Sequence, residues 1–170
     1  MRVRMMIVIA LMSLAGKLPA AELERPAPTP DSLQAEVDYL RSIMPGQAFA
    51  MTQIAYNFSN LWFAAQAGNW PLANFYLGET RVRLRWAMRI QPVRRISSGP
   101  IEIAPIAEAL EANQIMAVGH AIEARDKAGF VAAYTNLMHG CQGCHEASEK
   151  PYLKLQIPTA PAEPMIDFAP

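Results

Sequence analysis

The chain has 170 residues, 52% of them hydrophobic and 18% charged, with 15 Lys+Arg set against 15 Asp+Glu. An even charge balance excludes a nucleic-acid binder that works through a basic domain, and the apolar fraction excludes a chain that stays unfolded. Two cysteines are too few for a disulfide scaffold.

The chain opens with a short basic stretch, Met1-Arg2-Val3-Arg4, followed by an apolar run over residues 5–12. Gly16-Lys17 stops the run well short of the roughly 20 residues a spanning helix needs. Leu18-Pro19-Ala20-Ala21 supplies a small-residue cleavage site. Residues 1–20 are therefore expected to be a signal peptide cleaved near Ala20. An uncleaved anchor is the alternative. Removal takes away Arg2, Arg4 and Lys17, leaving 12 basic against 15 acidic residues. The expected location is the periplasm, with no membrane span in the mature form.

Residues 21–46 read as a linker with one short helix, which Asp31 or Ser32 would cap and Met44-Pro45-Gly46 would end. From 47 to 67 the residues Met51, Ile54, Ala55, Phe58, Leu61, Trp62 and Ala65 recur at helical spacing. Asn69 caps a second long helix, 70–90, which Pro92 stops. Residues 91–100 are expected to form a loop. A third helix is expected over 104–124, and a fourth, capped by Asp126, over 127–147. The tail, 151–170, contains five Pro and should be extended. The whole reads as all-α, an antiparallel four-helix bundle over 47–150.

Chemistry concentrates in Cys141-Gln142-Gly143-Cys144-His145. The spacing C-x-x-C-H is the attachment signature of c-type haem. Two thiols three residues apart can add to the two vinyl groups on one haem edge, and the next residue is then placed to ligate the iron. A thioredoxin-type dithiol would need a βαβ setting, and a zinc site would need two further good ligands. His120 and His139 are the remaining histidines, and both read as surface or structural residues.

A C-terminal attachment site on the last helix of a bundle resembles the class II c-type cytochromes, the cytochrome c′ group. The match is most specific at Phe130, Tyr134, Leu137, Cys141, Cys144 and His145. The resemblance implies one covalent haem c, with His145 as axial iron ligand. It implies a sixth ligand from the first bundle helix in some members and a vacant face in others. Met51 is the candidate sixth ligand, with core filler as the alternative. Phe58, Trp62 and Tyr134, together with Phe75, Tyr76 and Phe130, are candidate pocket walls. Met44 is a weaker ligand candidate, Met138 reads as packing, and Met116 as core of the third helix.

Three functions stay open at this point. The first is an electron carrier that meets a redox partner protein and performs no catalysis. The second is a five-coordinate binder of NO or CO. The third is an accessory haem subunit of a larger assembly. A homodimer is possible under each. Arg81, Arg83, Arg85, Arg89, Arg94 and Arg95 crowd one region. Most are expected to pair with acids such as Glu79 and Glu108, and docking of an acidic partner is the second reading.

Overall fold

A computed structural model describes residues 29–163 and 165–170, so the signal-peptide and cleavage expectations lie outside the described residues. The described chain is predominantly helical, with one small two-stranded sheet, as the all-α reading expects. Among the described residues no helix is long and apolar enough to cross a membrane. Contacts divide the chain into a first unit ending at Ile43 and a second, Met44–Pro170.

The first unit contains α1, Pro30–Ile43. Its cap is Thr29, not Asp31 or Ser32. Ser32 N–H donates to Thr29 Oγ1 at 3.2 Å and Thr29 N–H donates to Ser32 Oγ at 2.7 Å, a reciprocal capping box with Ser in place of Glu. Pro30 fits the first turn because its missing N–H would be an orphan there anyway. No residue of α1 is buried.

The second unit begins with α2, Gln47–Gln66, and α3, Trp70–Ile90. Gly68, at φ +79, ends α2 in a Schellman turn: Asn69 N–H reaches Ala64 O and Gly68 N–H reaches Ala65 O. Asn69 then caps α3 by accepting from Leu72 N–H at 3.1 Å. So short a link folds the two helices back on one another. Leu61, Ala64 and Ala65 of α2 and Ala73, Tyr76 and Leu77 of α3 share the core.

The expected loop at 91–100 is instead largely a hairpin. β1, Val93–Ile96, pairs antiparallel with β2, Gly99–Glu102. Gly99 takes φ +124 just past the turn, a backbone that a side chain would oppose. The tip is fastened by Glu149, whose carboxylate accepts Ser97 N–H at 2.9 Å and the Ser97 hydroxyl.

The expected third helix is interrupted. It comprises α4, Ala104–Leu110, a π-helical turn, Glu111–Ile115, and α5, Met116–Glu123, with helical backbone at each junction. The reason is visible in the burial. Ala107 and Leu110 are buried, the next buried residue is Ile115, and Val118 and Ile122 follow. A gap of five between Leu110 and Ile115 is too long for one α-turn, and the wider π-turn absorbs it. Met116 consequently points outward and is not core.

α6, Lys127–Ala147, starts at Asp126, which accepts from Gly129 N–H at 3.0 Å. Phe130, Tyr134, Leu137 and Met138 face the interior. A Cβ at Gly140 would come within 2.4 Å of Leu110 Cδ2, so glycine there lets α6 approach α4 and the π-turn closely. Residues 151–170 form no helix or strand among the described residues, yet Ile157 and Phe168 pack against the core.

Candidate functional site

The last turns of α6 carry Cys141, Cys144 and His145 along one side of an apolar cavity. Positions i, i+3 and i+4 of a helix share a face, so the C-x-x-C-H spacing itself gathers the three side chains. The cavity has a volume of about 200 Å³, below the roughly 300–1,000 Å³ of a typical ligand or cofactor pocket, so a larger group enters only as its open side widens. α2 contributes Met51 and Phe58 to its walls, α3 contributes Met88, and α6 contributes Tyr134 and Met138.

Both cysteines are free. Burial pushes the Cys141 thiol up to about 11, with the neighbouring Cys144 adding to the effect. Burial also raises the Cys144 thiol, against a smaller opposing hydrogen bond to Ser148. Reactive dithiols have lowered pKa values, often at helix N-termini. This pair sits at the opposite end of its helix, in apolar surroundings, and stays protonated at neutral pH. That counts against a redox dithiol. Among the described residues the buried Nδ1 of His145 has no hydrogen-bond partner, which is costly unless something else engages the ring.

Tyr134 is 1% exposed and forms the inner wall. Its ring stacks on Phe58 at 4.1 Å, and its hydroxyl donates to Phe58 O at 2.9 Å. Burial raises its pKa above the ordinary phenol value. Neither group offers the cavity a charge.

Several expectations need correcting. Trp62 does not line the cavity; it packs behind Tyr134, ring centroids 5.0 Å apart, and beside Phe130. Phe130 is likewise behind the wall, because its place one turn before Tyr134 carries it deeper into the core. Phe75 is 57% exposed, and Tyr76 packs beside Tyr56 between α2 and α3. Met44 is exposed, as are His120 and His139. Met51, Phe58, Tyr134, Cys141, Cys144 and His145 do meet at one cavity.

Sequence reasoning missed Met88, whose helical spacing marked it only as core, and it set Met138 aside as packing. It also missed Leu155, Gln156 and Pro158, which close one side of the cavity. The alternation Leu153-x-Leu155-x-Ile157 was the available signal.

The basic stripe is also organised differently. Glu111, in the π-turn, accepts from Arg81 at 3.2 Å and from Arg85. Arg83 pairs with Glu79 as expected, and Glu108 makes no ion pair among the described residues. Glu111 therefore has its pKa lowered, chiefly by Arg85, against the opposing effect of burial. Arg89 and Arg95 are exposed and have no carboxylate partner among the described residues.

Comparison with protein-family models, with curated proteins and with solved structures returns no match for this chain.

Proposed function

We propose that the chain is an exported electron-transfer protein carrying one covalent haem c in this cavity. The observation that carries the reading is that Cys141, Cys144 and His145 line a single apolar cavity that Met51 enters from another helix. The donor chemistry fits the group: two protonated thiols, one imidazole with an unpartnered buried nitrogen, and thioether and aromatic walls.

In this reading α2, α3, the α4–α5 rod and α6 make an antiparallel four-helix bundle, with the pocket between helices. Cys141 and Cys144 would hold the group through two thioether bonds, each thiol's S–H adding across one vinyl group. His145 and Met51 would hold the iron, one through an imidazole nitrogen and the other through its thioether. Haem iron supplies the one-electron chemistry, and Met/His ligation raises its potential. Phe58, Tyr134 and Leu84 exclude water from the pocket. Arg89 and Arg95, exposed and without a carboxylate partner among the described residues, would offer docking charge to an acidic redox partner protein. The assignment is to a carrier and not to an enzyme, acting in the periplasm after removal of residues 1–20.

A vacant sixth position, with NO or CO binding, is the second reading. It is favoured by the number of small apolar residues beside Met51, such as Ala55 and Ala107.

The test is co-expression of the full chain with a haem-attachment system. A mass increase of one haem that survives denaturation is the expected result, and Cys141→Ser with Cys144→Ser should abolish it. A wild-type chain that stays free of haem under those conditions overturns the proposal.

A further inference from the structure

We propose that residues 153–158 form a latched strap that closes the mouth of the Cys141/Cys144 cavity and controls access to it. The strap begins where α6 ends. Lys150 N–H donates to His145 O at 2.8 Å and Glu149 takes φ +57, so the chain leaves the helix by a reversing Schellman turn. It then returns past the turns that bear the two cysteines. Leu155, Gln156 and Pro158 line the cavity, and Ile157 packs on the core.

Its latch is Gln142. Leu155 N–H donates to Gln142 Oε1 at 3.0 Å, and Gln142 Nε2 donates to Glu146 Oε1 at 3.1 Å, which fixes the amide's orientation. Among the described residues this is the one hydrogen bond joining 153–158 to a helix. The far end of the tail is held separately. Phe168 packs on Phe63 at 5.8 Å, and Ala169 O accepts from Asn69 Nδ2 at 2.8 Å. A segment with so few hydrogen bonds, tethered at both ends, belongs to the low-stability end of a fold and opens without global unfolding.

Gln142 stands between Cys141 and Cys144 in the chain. The latch and the attachment thiols thus occupy the same helical turn. Leu155, Gln156 and Pro158 line the same cavity as both thiols, so access from this side passes the strap. If the haem reading holds, attachment requires the strap to open, and its reclosure then sets how readily small ligands reach the iron.

The strap is testable without haem. The full-length apoprotein is treated with N-ethylmaleimide under native conditions, and labelling of the two thiols is followed by mass spectrometry. Wild type should label slowly compared with the urea-unfolded chain. Gln142→Ala, which keeps the helix, should label about fivefold faster, the effect of losing one hydrogen bond. Phe168→Ala should also accelerate labelling, from the opposite anchor. Gln142→Glu keeps an acceptor for Leu155 N–H but loses the donor to Glu146 and faces its like charge, so it should label no more slowly than wild type and no faster than Gln142→Ala. A Gln142→Ala rate equal to wild type overturns the proposal. Because the readout needs no cofactor, a strap result stands even if the chain proves never to take up haem. Conversely, a chain that takes up haem on co-expression but whose wild-type apoprotein labels as fast as the urea-unfolded chain removes the strap alone.

Discussion

Tyr134 lies face to face with Phe58, ring centroids 4.1 Å apart and planes within 7°, and donates its hydroxyl hydrogen to the Phe58 carbonyl at 2.9 Å. One residue of α6 thereby grips both the side chain and the backbone of α2, at the inner wall of the cavity. Tyr134→Phe removes only the hydrogen bond and should cost about 1 kcal/mol. Tyr134→Ala also leaves a void and should cost about 3–5 kcal/mol. Urea titration followed by circular dichroism measures both, and equal losses in the two variants would contradict the division made here.

Arg125 ends α5 at φ +53, with Asp126 N–H reaching Ala121 O and Arg125 N–H reaching Ile122 O. Gly68 occupies the equivalent place after α2. An arginine there bears the left-handed strain that glycine avoids. Arg125→Gly should therefore stabilise the chain by about 0.5–1 kcal/mol, after the greater flexibility of unfolded glycine is deducted. A rise in the urea midpoint with unchanged slope is the expected readout.

Glu111 should make stability depend on acidity. Its folded pKa is depressed, mainly by Arg85. A depressed carboxylate contributes stability that is fully present above its unfolded pKa and is lost as pH falls through the folded value. The loss thus begins below the ordinary glutamate range and deepens with further acid. In Glu111→Gln this part of the acid sensitivity should vanish, leaving a flatter profile below pH 4.5. A mutant profile parallel to wild type would show that the Arg81/Arg85 pairing contributes nothing.

Met51 and Met88 both line the cavity, and both belong to the cluster that contacts Cys144. In the haem-loaded protein, Met51→Ala should abolish the weak red-edge absorption band of thioether-ligated ferric iron and permit CO binding. Met88→Ala should leave that band in place. A band that persists in Met51→Ala and disappears in Met88→Ala would transfer the ligand role to α3.

Local rules made the helices legible. Asn69 and Asp126 announce their helices because a short side-chain acceptor before an apolar-periodic run satisfies orphan N–H groups wherever it occurs. Cys141, Cys144 and His145 were equally legible, since three residues within four positions of one helix share a face whatever the rest of the chain does. Met51, Phe58 and Tyr134 were legible as interior positions. That they border the same space as the cysteines depends on how α2 docks on α6, which periodicity does not encode.

What escaped the sequence reading was long-range. Trp62 and Tyr134 carry the same aromatic signal, yet Tyr134 faces the cavity and Trp62 stands behind it. The difference is set by side-chain packing between helices. Glu111, and not Glu108, answers Arg81 and Arg85 because the π-turn rotates the helix at that point. Leu155 and Pro158 looked like an unattached proline-rich tail, for proline removes the hydrogen bonds by which a strand would declare itself. By itself, the sequence determined the long helices α2, α3 and α6, the caps Asn69 and Asp126, and the grouping of Cys141, Cys144 and His145 on α6. Only the tertiary structure decided which walls face that donor set and that the tail covers it, because those contacts join residues far apart in the chain, and their energy comes from shape and burial, not from local spacing.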